Sequence, residues 1–280
     1  MNRTSTPAPD SAIETGLGVG VAQFAPGADR AENLAAITRL SERAASRGAS
    51  LVVFPEYSSY FAEPFGDGFL ENAEPLDGEF VTALKELAAR LHIHVVAGMI
   101  ETTEAGRRFS NAVVAVSPAG ELVASYRKLH LYDAFGSKES DFVEPGGIGS
   151  PETFVVGDFT VGLQTCYDIR FPEVTRRLVD AGVDLAVVPA EWVRGVLKEH
   201  HWRTLVTARA LENTIYVAAA DHTPPIGVGA SLVVDPMGVT IASLAENEGV
   251  AVAWIDRGRV DDVRQVNPVL ALRRFGTRAL

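Results

Sequence analysis

An α/β fold with two β-sheets, each covered by helices, is the architecture this sequence predicts. Short β-branched and apolar runs alternate along the chain with amphipathic stretches. Most strand candidates are continuous apolar runs, such as LVVF ending at Phe54 and LAVV ending at Val188, which marks strands buried on both faces. The second half of the chain also echoes the first in the order of its elements. Two β-α-β-type halves built on buried strands fit two helix-covered sheets better than one open sheet.

The opening stretch, residues 1–16, lacks the apolar core of a signal peptide and reads as a flexible polar tail, so the folded domain is expected over 17–256. A strand is predicted over Val19–Phe24. The amphipathic stretch from about Asp29 to Arg47 follows as a helix, with Asp29 as its N-cap. Leu51–Phe54 is a strand stopped by Pro55-Glu56, Glu79–Arg90 a helix, and His94–Ile100 and Ala112–Val116 are strands. Ser117-Pro118-Ala119-Gly120 marks a hairpin turn into a strand at Leu122–Tyr126. From about Leu131 to Pro151 the chain is irregular and rich in glycine and polar residues, and loops of this length in compact domains are usually functional or disordered.

Strand Phe159–Thr165, helix Pro172–Ala181 and strand Leu185–Val188, ending at Pro189-Ala190-Glu191, then repeat the earlier order. Helix His200–Glu212 leads to strand Ile215–Ala220, strand Ser231–Asp235, a turn at Pro236-Met237-Gly238 and strand Val250–Ile255. Residues 257–280 read as a helix and an irregular tail.

Composition narrows the function. With 47% hydrophobic and 22% charged residues, the 280-residue chain can bury a large single core. A formal charge of −11 argues against nucleic acid or an anionic membrane surface as partner, though it leaves room for an anionic small substrate. No apolar run approaches membrane-spanning length. A single cysteine excludes an intramolecular disulfide framework and fits a reducing compartment, so a cytoplasmic location is expected.

That cysteine, Cys166, ends the apolar run FTVGLQT and opens CYDIRFPE, whose Pro172 reads as the first turn of a helix. A cysteine near a helix N-terminus meets partial positive charge that favours thiolate over thiol. The alternative is a small core residue. Glu56 stands just beyond a buried strand, where α/β folds place ligand crevices, or else it caps a helix. Lys128 closes the strand Leu122–Tyr126, where most lysines are merely solvated.

Taken together, FPEYSSY from Phe54, YRKLHLYD from Tyr126 and CYDIRFPE from Cys166 resemble the nitrilase superfamily of carbon–nitrogen hydrolases. The resemblance continues through HWRTLVTARALENTIYVAAA from His201 and GASLVVDPMG from Gly229, in the family's order and over nearly the whole chain. It implies a four-layer α-β-β-α sandwich. It also implies Glu56 as general base, Lys128 as electrophile and Cys166 as nucleophile, with a further family glutamate falling on Glu139. Lys128 and the backbone N–H of Tyr167 would hold the oxyanion. A loop-surface glutamate is the other reading of Glu139.

These residue types suit the chemistry. An amide carbon is a poor electrophile, so the cysteine needs activation and the developing oxyanion needs stabilisation. Glu56 can take the thiol proton and pass it to departing ammonia, leaving a thioester for water to hydrolyse. Crowded carboxylates raise the pKa of Glu56 while Lys128 lowers it, and the sequence leaves that balance open.

Tyr167 and Asp168 after the cysteine resemble the amidase-like branches, near ω-amidases and deaminated-glutathione amidases. The nitrile-hydrolysing branch carries tryptophan and glutamate there. Arg170 aligns with an arginine that contacts a substrate carboxylate in the carbamoylase branch, or it pairs with Glu173 or Asp168. Glu191 and Arg194 are further substrate-binding candidates, with a loop ion pair as the alternative for Glu191. The expected substrate is a small linear amide bearing a carboxylate; an N-carbamoyl amino acid is the enzymatic alternative, and a non-catalytic binding or scaffold protein retaining the fold is the alternative of another class. The resemblance further implies a homodimer or higher homo-oligomer with the C-terminal segment at the interface, where Leu270, Ala271, Leu272 and Phe275 lack an obvious element to bury them; the alternative is a tail folded back on its own subunit.

No cofactor or metal is expected. Gly16-Leu17-Gly18-Val19-Gly20 opens no helix and lacks the dinucleotide spacing. His92 with His94 and His200 with His201 match no zinc spacing. Ser231 sits in no nucleophile elbow.

Overall fold

The structure, a computed structural model, describes residues 16–279, so the predicted tail lies outside the described residues apart from Gly16. The first half runs β1 (Leu17–Gln23), α1 (Arg30–Ala45), β2 (Leu51–Val53), the short α2 (Asp67–Glu71), α3 (Glu79–Leu91), β3 (His94–Thr102), β4 (Phe109–Val116) and β5 (Leu122–Arg127). The second runs β6 (Thr153–Val156), β7 (Phe159–Leu163), α4 (Pro172–Asp180), β8 (Leu185–Ala190), α5 (Lys198–Asn213), β9 (Tyr216–Asp221), β10 (Leu232–Val234), β11 (Thr240–Ser243), β12 (Gly249–Ile255) and α6 (Arg257–Val266).

Two six-stranded sheets form, ordered β12-β1-β2-β3-β4-β5 and β11-β10-β9-β8-β7-β6. In each, three parallel strands (β1-β2-β3 and β7-β8-β9) form the centre and antiparallel strands complete the edges. The echo read from the sequence is therefore a repeat of strand direction as well as of order.

Period-two alternation divides each apolar run between two layers. Val19, Val21, Leu51, Val53 and Val96 meet Val161, Leu163, Leu185, Val187 and Ala218 between the sheets. Their neighbours Val52, Val95 and Ala97 face outward against Ile37, Leu40, Phe80 and Leu84 of α1 and α3. On the other side, Ala186, Val188 and Val217 pack against Leu178, Val179, Trp202 and Val206 of α4 and α5. The layers are thus α-β-β-α. Asp29 caps α1 as expected, its carboxylate accepting the Ala31 and Glu32 N–H groups at 2.8 and 3.1 Å.

Four elements depart from expectation, the first being the short α2, which no predicted helix covers. β6 emerges after the irregular stretch as an edge strand with alternating burial, and β11 is a largely exposed edge, so neither is buried on both faces as the predicted strands are. α5 begins at Lys198, two residues before His200. It opens from Leu197 in left-handed backbone (φ 61°) without a side-chain cap, and so leaves no capping signature in the sequence. Between β5 and β6 the sole regular piece is one 3-10 turn at Glu139–Asp141. After α6 the tail runs past α4, where Arg273 pairs with Asp180 at 2.6 Å; Leu270 packs on the outer layer, while Leu272 and Phe275 stay exposed.

Candidate active site

Four side chains converge from just beyond strand ends of both sheets. Glu56 follows β2, Lys128 follows β5, Cys166 follows β7 by a short step, and Glu191 follows β8. Glu139 joins them from its 3-10 turn. In open α/β architecture the carboxyl ends of parallel strands are where ligand crevices form, and here two such edges face one another.

Glu56 is fully buried. Its Oε1 accepts from Lys128 Nζ at 2.8 Å and from Asn111 Nδ2 at 2.6 Å, and its Oε2 accepts the Glu191 N–H at 2.7 Å. The last bond crosses from one sheet to the other. Gly98 of β3 makes room for this turn, since a Cβ there would sit 2.6 Å from Glu56 Cα and Tyr57 N. His222 Nε2 donates to the Glu56 carbonyl at 2.7 Å. Burial drops the His222 pKa to about 4, so this imidazole is neutral.

Lys128 Nζ also reaches Glu139, at 3.1 Å to Oε1 and 2.9 Å to Oε2. Glu139 is buried, not a loop-surface glutamate. It further accepts from the Tyr57 hydroxyl at 2.7 Å, Asn111 Nδ2 at 3.1 Å and the Tyr132 N–H at 2.5 Å. Burial would depress the Lys128 pKa, but the Glu139 and Glu56 carboxylates outweigh it and hold the ammonium well above its ordinary value. Burial opposes ionisation of Glu139, yet Lys128 and the Tyr57 and Tyr132 donors carry its pKa below the usual range. At Glu56 burial prevails over Lys128, and Glu139 adds to it, so that carboxyl is raised. One acid is thereby held ionised as the counter-ion of Lys128, while the other keeps its proton to higher pH than an ordinary glutamate.

Cys166 opens a 3-10 turn, Cys166–Arg170, in left-handed backbone (φ 41°), a conformation costly for a residue with a Cβ. The turn is clamped by Asp168. Its fully buried carboxylate accepts the Tyr126 hydroxyl at 2.7 Å, the His130 N–H at 3.1 Å and the Thr165 N–H at 3.2 Å, and meets His130 Nδ1 at 2.8 Å. One carboxylate therefore ties the cysteine turn to the strand and loop that present Lys128. The Sγ donates to the Glu191 carbonyl at 3.5 Å. Contrary to the thiolate expected from a helix N-terminus, burial and the nearby Glu56 carboxylate push the thiol pKa well up, more than Lys128 pulls it down. The α4 helix itself starts six residues later, so Cys166 is not part of its first turn.

A cavity of 430 Å³ opens beside these groups; Lys128, Glu139, Cys166 and Glu191 line it together with Tyr132, Tyr167, Arg170, Trp192 and Lys198. Arg170 makes neither of the ion pairs weighed for it; its guanidinium lies 4.8 Å from the centre of the Trp192 ring. Arg194 is exposed on the loop before α5 and lines no part of this cavity. Asn111, Tyr57, Tyr132 and Lys198 escaped the sequence reading. Asn111 had a visible signal, a lone amide in the apolar strand FSNAVVAV. Among the described residues no helix is long and apolar enough to cross a membrane, and no three His, Cys, Asp or Glu side chains are grouped to hold a metal ion.

A family model for carbon-nitrogen hydrolases matches residues 18–265. The chain belongs to the carbon-nitrogen hydrolase family. It is 40% identical over 257 residues to a deaminated glutathione amidase of Escherichia coli O157:H7, covering 92% of this chain and 97% of that one. It is 34% identical over 256 residues to omega-amidase NIT2 of Danio rerio, with 88% and 90% covered. Among solved structures, Saccharomyces cerevisiae Nit3, a member of branch 10 of the nitrilase superfamily, superposes with a TM-score of 0.81 at 27% identity, covering 92% of this chain and 97% of Nit3. The chain is thus a carbon–nitrogen hydrolase with amidase relatives, and its two-sheet sandwich is the nitrilase-superfamily fold.

Proposed function

We propose that this hydrolase is a cysteine-dependent amidase acting on a small linear amide that bears a carboxylate, through a thioester and with release of ammonia. The observation that carries the reading is a buried thiol and a doubly paired ammonium lining one cavity, with a fully buried carboxyl of raised pKa bonded to that ammonium at 2.8 Å. With its pKa raised, Cys166 rests as a thiol, so attack on the amide carbon is coupled to proton transfer to Glu56. Charge gathering on the amide oxygen is held by the Lys128 ammonium and the Tyr167 N–H. Collapse breaks the C–N bond as Glu56 returns the proton to the leaving nitrogen, giving ammonia and a Cys166 thioester. Glu56 then takes a proton from water, whose oxygen attacks the thioester. Collapse releases the acid and restores the thiol. Glu139 stays ionised throughout and keeps Lys128 charged and in place.

Arg170 supports the carboxylate: its Nε and Nη2 are buried without hydrogen-bond partners on the cavity wall. The same feature serves an N-carbamoyl amino acid, the second reading. Ammonia release across ω-amides, carbamoyl amino acids and nitriles tests both. Turnover of ω-amides alone is expected, preference for carbamoyl substrates selects the second reading, and turnover of none overturns the proposal.

The raised pKa of Glu56 carries a pH prediction. The base works only when ionised, so kcat/KM falls as pH drops through that raised value, placing the acid limb above the ordinary glutamate pKa of 4.5. A limb at or below 4.5 in a pH–rate profile would remove Glu56 as the base.

The proposal places the enzyme in the cytoplasm as a homodimer, with residues 257–280 at the interface. Leu272 and Phe275, 70% and 92% exposed on the tail beside α4, support this, because exposed apolar side chains so grouped call for a cover. Sedimentation at micromolar concentration is expected to give twice the mass of one chain. A single species near 29.9 kDa overturns the dimer.

A further inference from the structure

Lys198 is an ammonium on the cavity wall that the proposed chemistry leaves unused. Only 7% exposed, it is the first residue of the 16-residue α5, where the positive end of the helix dipole disfavours a cation. Its Nζ donates to the Tyr132 hydroxyl at 2.6 Å and lies 3.9 Å from the centre of the Phe135 ring. Among the described residues, no carboxylate comes within ion-pair distance of it. Arg170 is in the same condition. Both cations lie over the same two rings, Arg170 at 5.7 Å and 4.8 Å from the centres of Phe135 and Trp192, and Lys198 at 3.9 Å and 6.0 Å.

The contrast with Lys128 is informative. That buried ammonium has two carboxylates; Lys198, little exposed on the cavity wall, has none within ion-pair distance. Burial lowers the Lys198 pKa and the neighbouring Arg170 lowers it further, which together outweigh the opposing pull of Cys166 and Glu191, so the charge is held against desolvation, like charge and helix dipole. The aromatic faces and one hydroxyl return only part of that cost.

We propose that Lys198 determines substrate specificity, acting with Arg170 as a two-cation clamp on the carboxylate of a linear mono-amide of a dicarboxylic acid. This rests on the amidase reading above and names the residue that makes the site prefer an anionic chain over a neutral one. Cys166 and the clamp would then engage opposite ends of one short substrate.

The experiment compares Lys198→Met with the parent on succinamate and on the neutral butyramide. Loss of one charge-assisted contact should lower kcat/KM for succinamate about 10- to 100-fold, chiefly through KM, and change butyramide less than threefold. Lys198→Arg should recover most of the succinamate activity. A readout independent of turnover is glutarate binding by calorimetry, which should weaken by a similar factor in Lys198→Met and return in Lys198→Arg. If no amide is turned over by the parent, the amidase reading falls while glutarate binding still decides the clamp. The ligand-free Lys198→Met protein should also melt at or above the parent temperature, because an uncompensated cation is gone. Equal losses on both amides, unchanged glutarate affinity, or a variant that melts well below the parent and binds no better as Lys198→Arg would each overturn the proposal.

Discussion

Cys166→Ala is expected to abolish ammonia release from every amide while leaving the fold intact. The chain has no second thiol, and without Sγ the only route left is direct attack by water on an unactivated amide. Removing a covalent nucleophile from a comparable machinery costs on the order of 10⁴- to 10⁶-fold in kcat. The structural cost is small. The thiol is neutral and small, and its one hydrogen bond, to the Glu191 carbonyl at 3.5 Å, is long. Alanine also retains the Cβ, so the left-handed backbone at this position is no worse off. A stability loss of about 1 kcal/mol or less follows, which denaturant unfolding can check. Activity within tenfold of the parent would remove Cys166 as nucleophile.

Lys128→Met should fail in both activity and stability, and that double failure distinguishes it. Methionine keeps much of the side-chain volume and removes the charge facing the oxyanion, a loss of order 10²–10³ in kcat. It also strands Glu56 and Glu139, two buried carboxyls that share this one ammonium. Breaking a buried ion pair by removing one partner costs about 3–5 kcal/mol. The sign with pH is fixed by Glu139. Its folded pKa is depressed, so its contribution is present above the unfolded carboxylate value and is lost as pH falls through the folded one. The variant loses that contribution, so its deficit is largest near neutrality and narrows in acid, where carboxyls protonate in both proteins. Melting curves from pH 7 to pH 3 test this. A kcat that survives while KM alone rises would make Lys128 a binding group.

The parts of this design legible in the sequence are those carried by contiguous residues. Buried strands show as runs such as LVVF and LAVV, and Glu56, Lys128 and Cys166 show because each stands beside its strand in a recognisable string. Glu139 is legible only by resemblance, since nothing within KES says that Tyr57, Asn111 and Lys128 will gather round it. What stays hidden depends on distance along the chain. Asp168 works by gripping Tyr126 and His130, and Lys198 looks like any solvated lysine in LKEHH until α5 is seen to begin there. The direction of the thiol pKa was hidden for a related reason. Proximity to a helix is a local pattern, whereas burial, which prevails, is a property of the assembled layers.

β1 and β12 are the first and last strands of the domain, yet they are neighbours, with Leu17 opposite Ile255 and Gln23 opposite Gly249. During synthesis β1 leaves the ribosome long before the strand that covers its edge exists. Until residue 255 has emerged, the apolar β1 offers an open row of backbone donors and acceptors to any passing strand. The nascent chain therefore carries an open apolar edge until it is nearly complete. A truncation that removes β12 should leave an aggregating protein rather than a smaller soluble one. By the same geometry the two ends of the domain lie side by side, so joining them and opening the chain at an exposed loop is a change the architecture can accept.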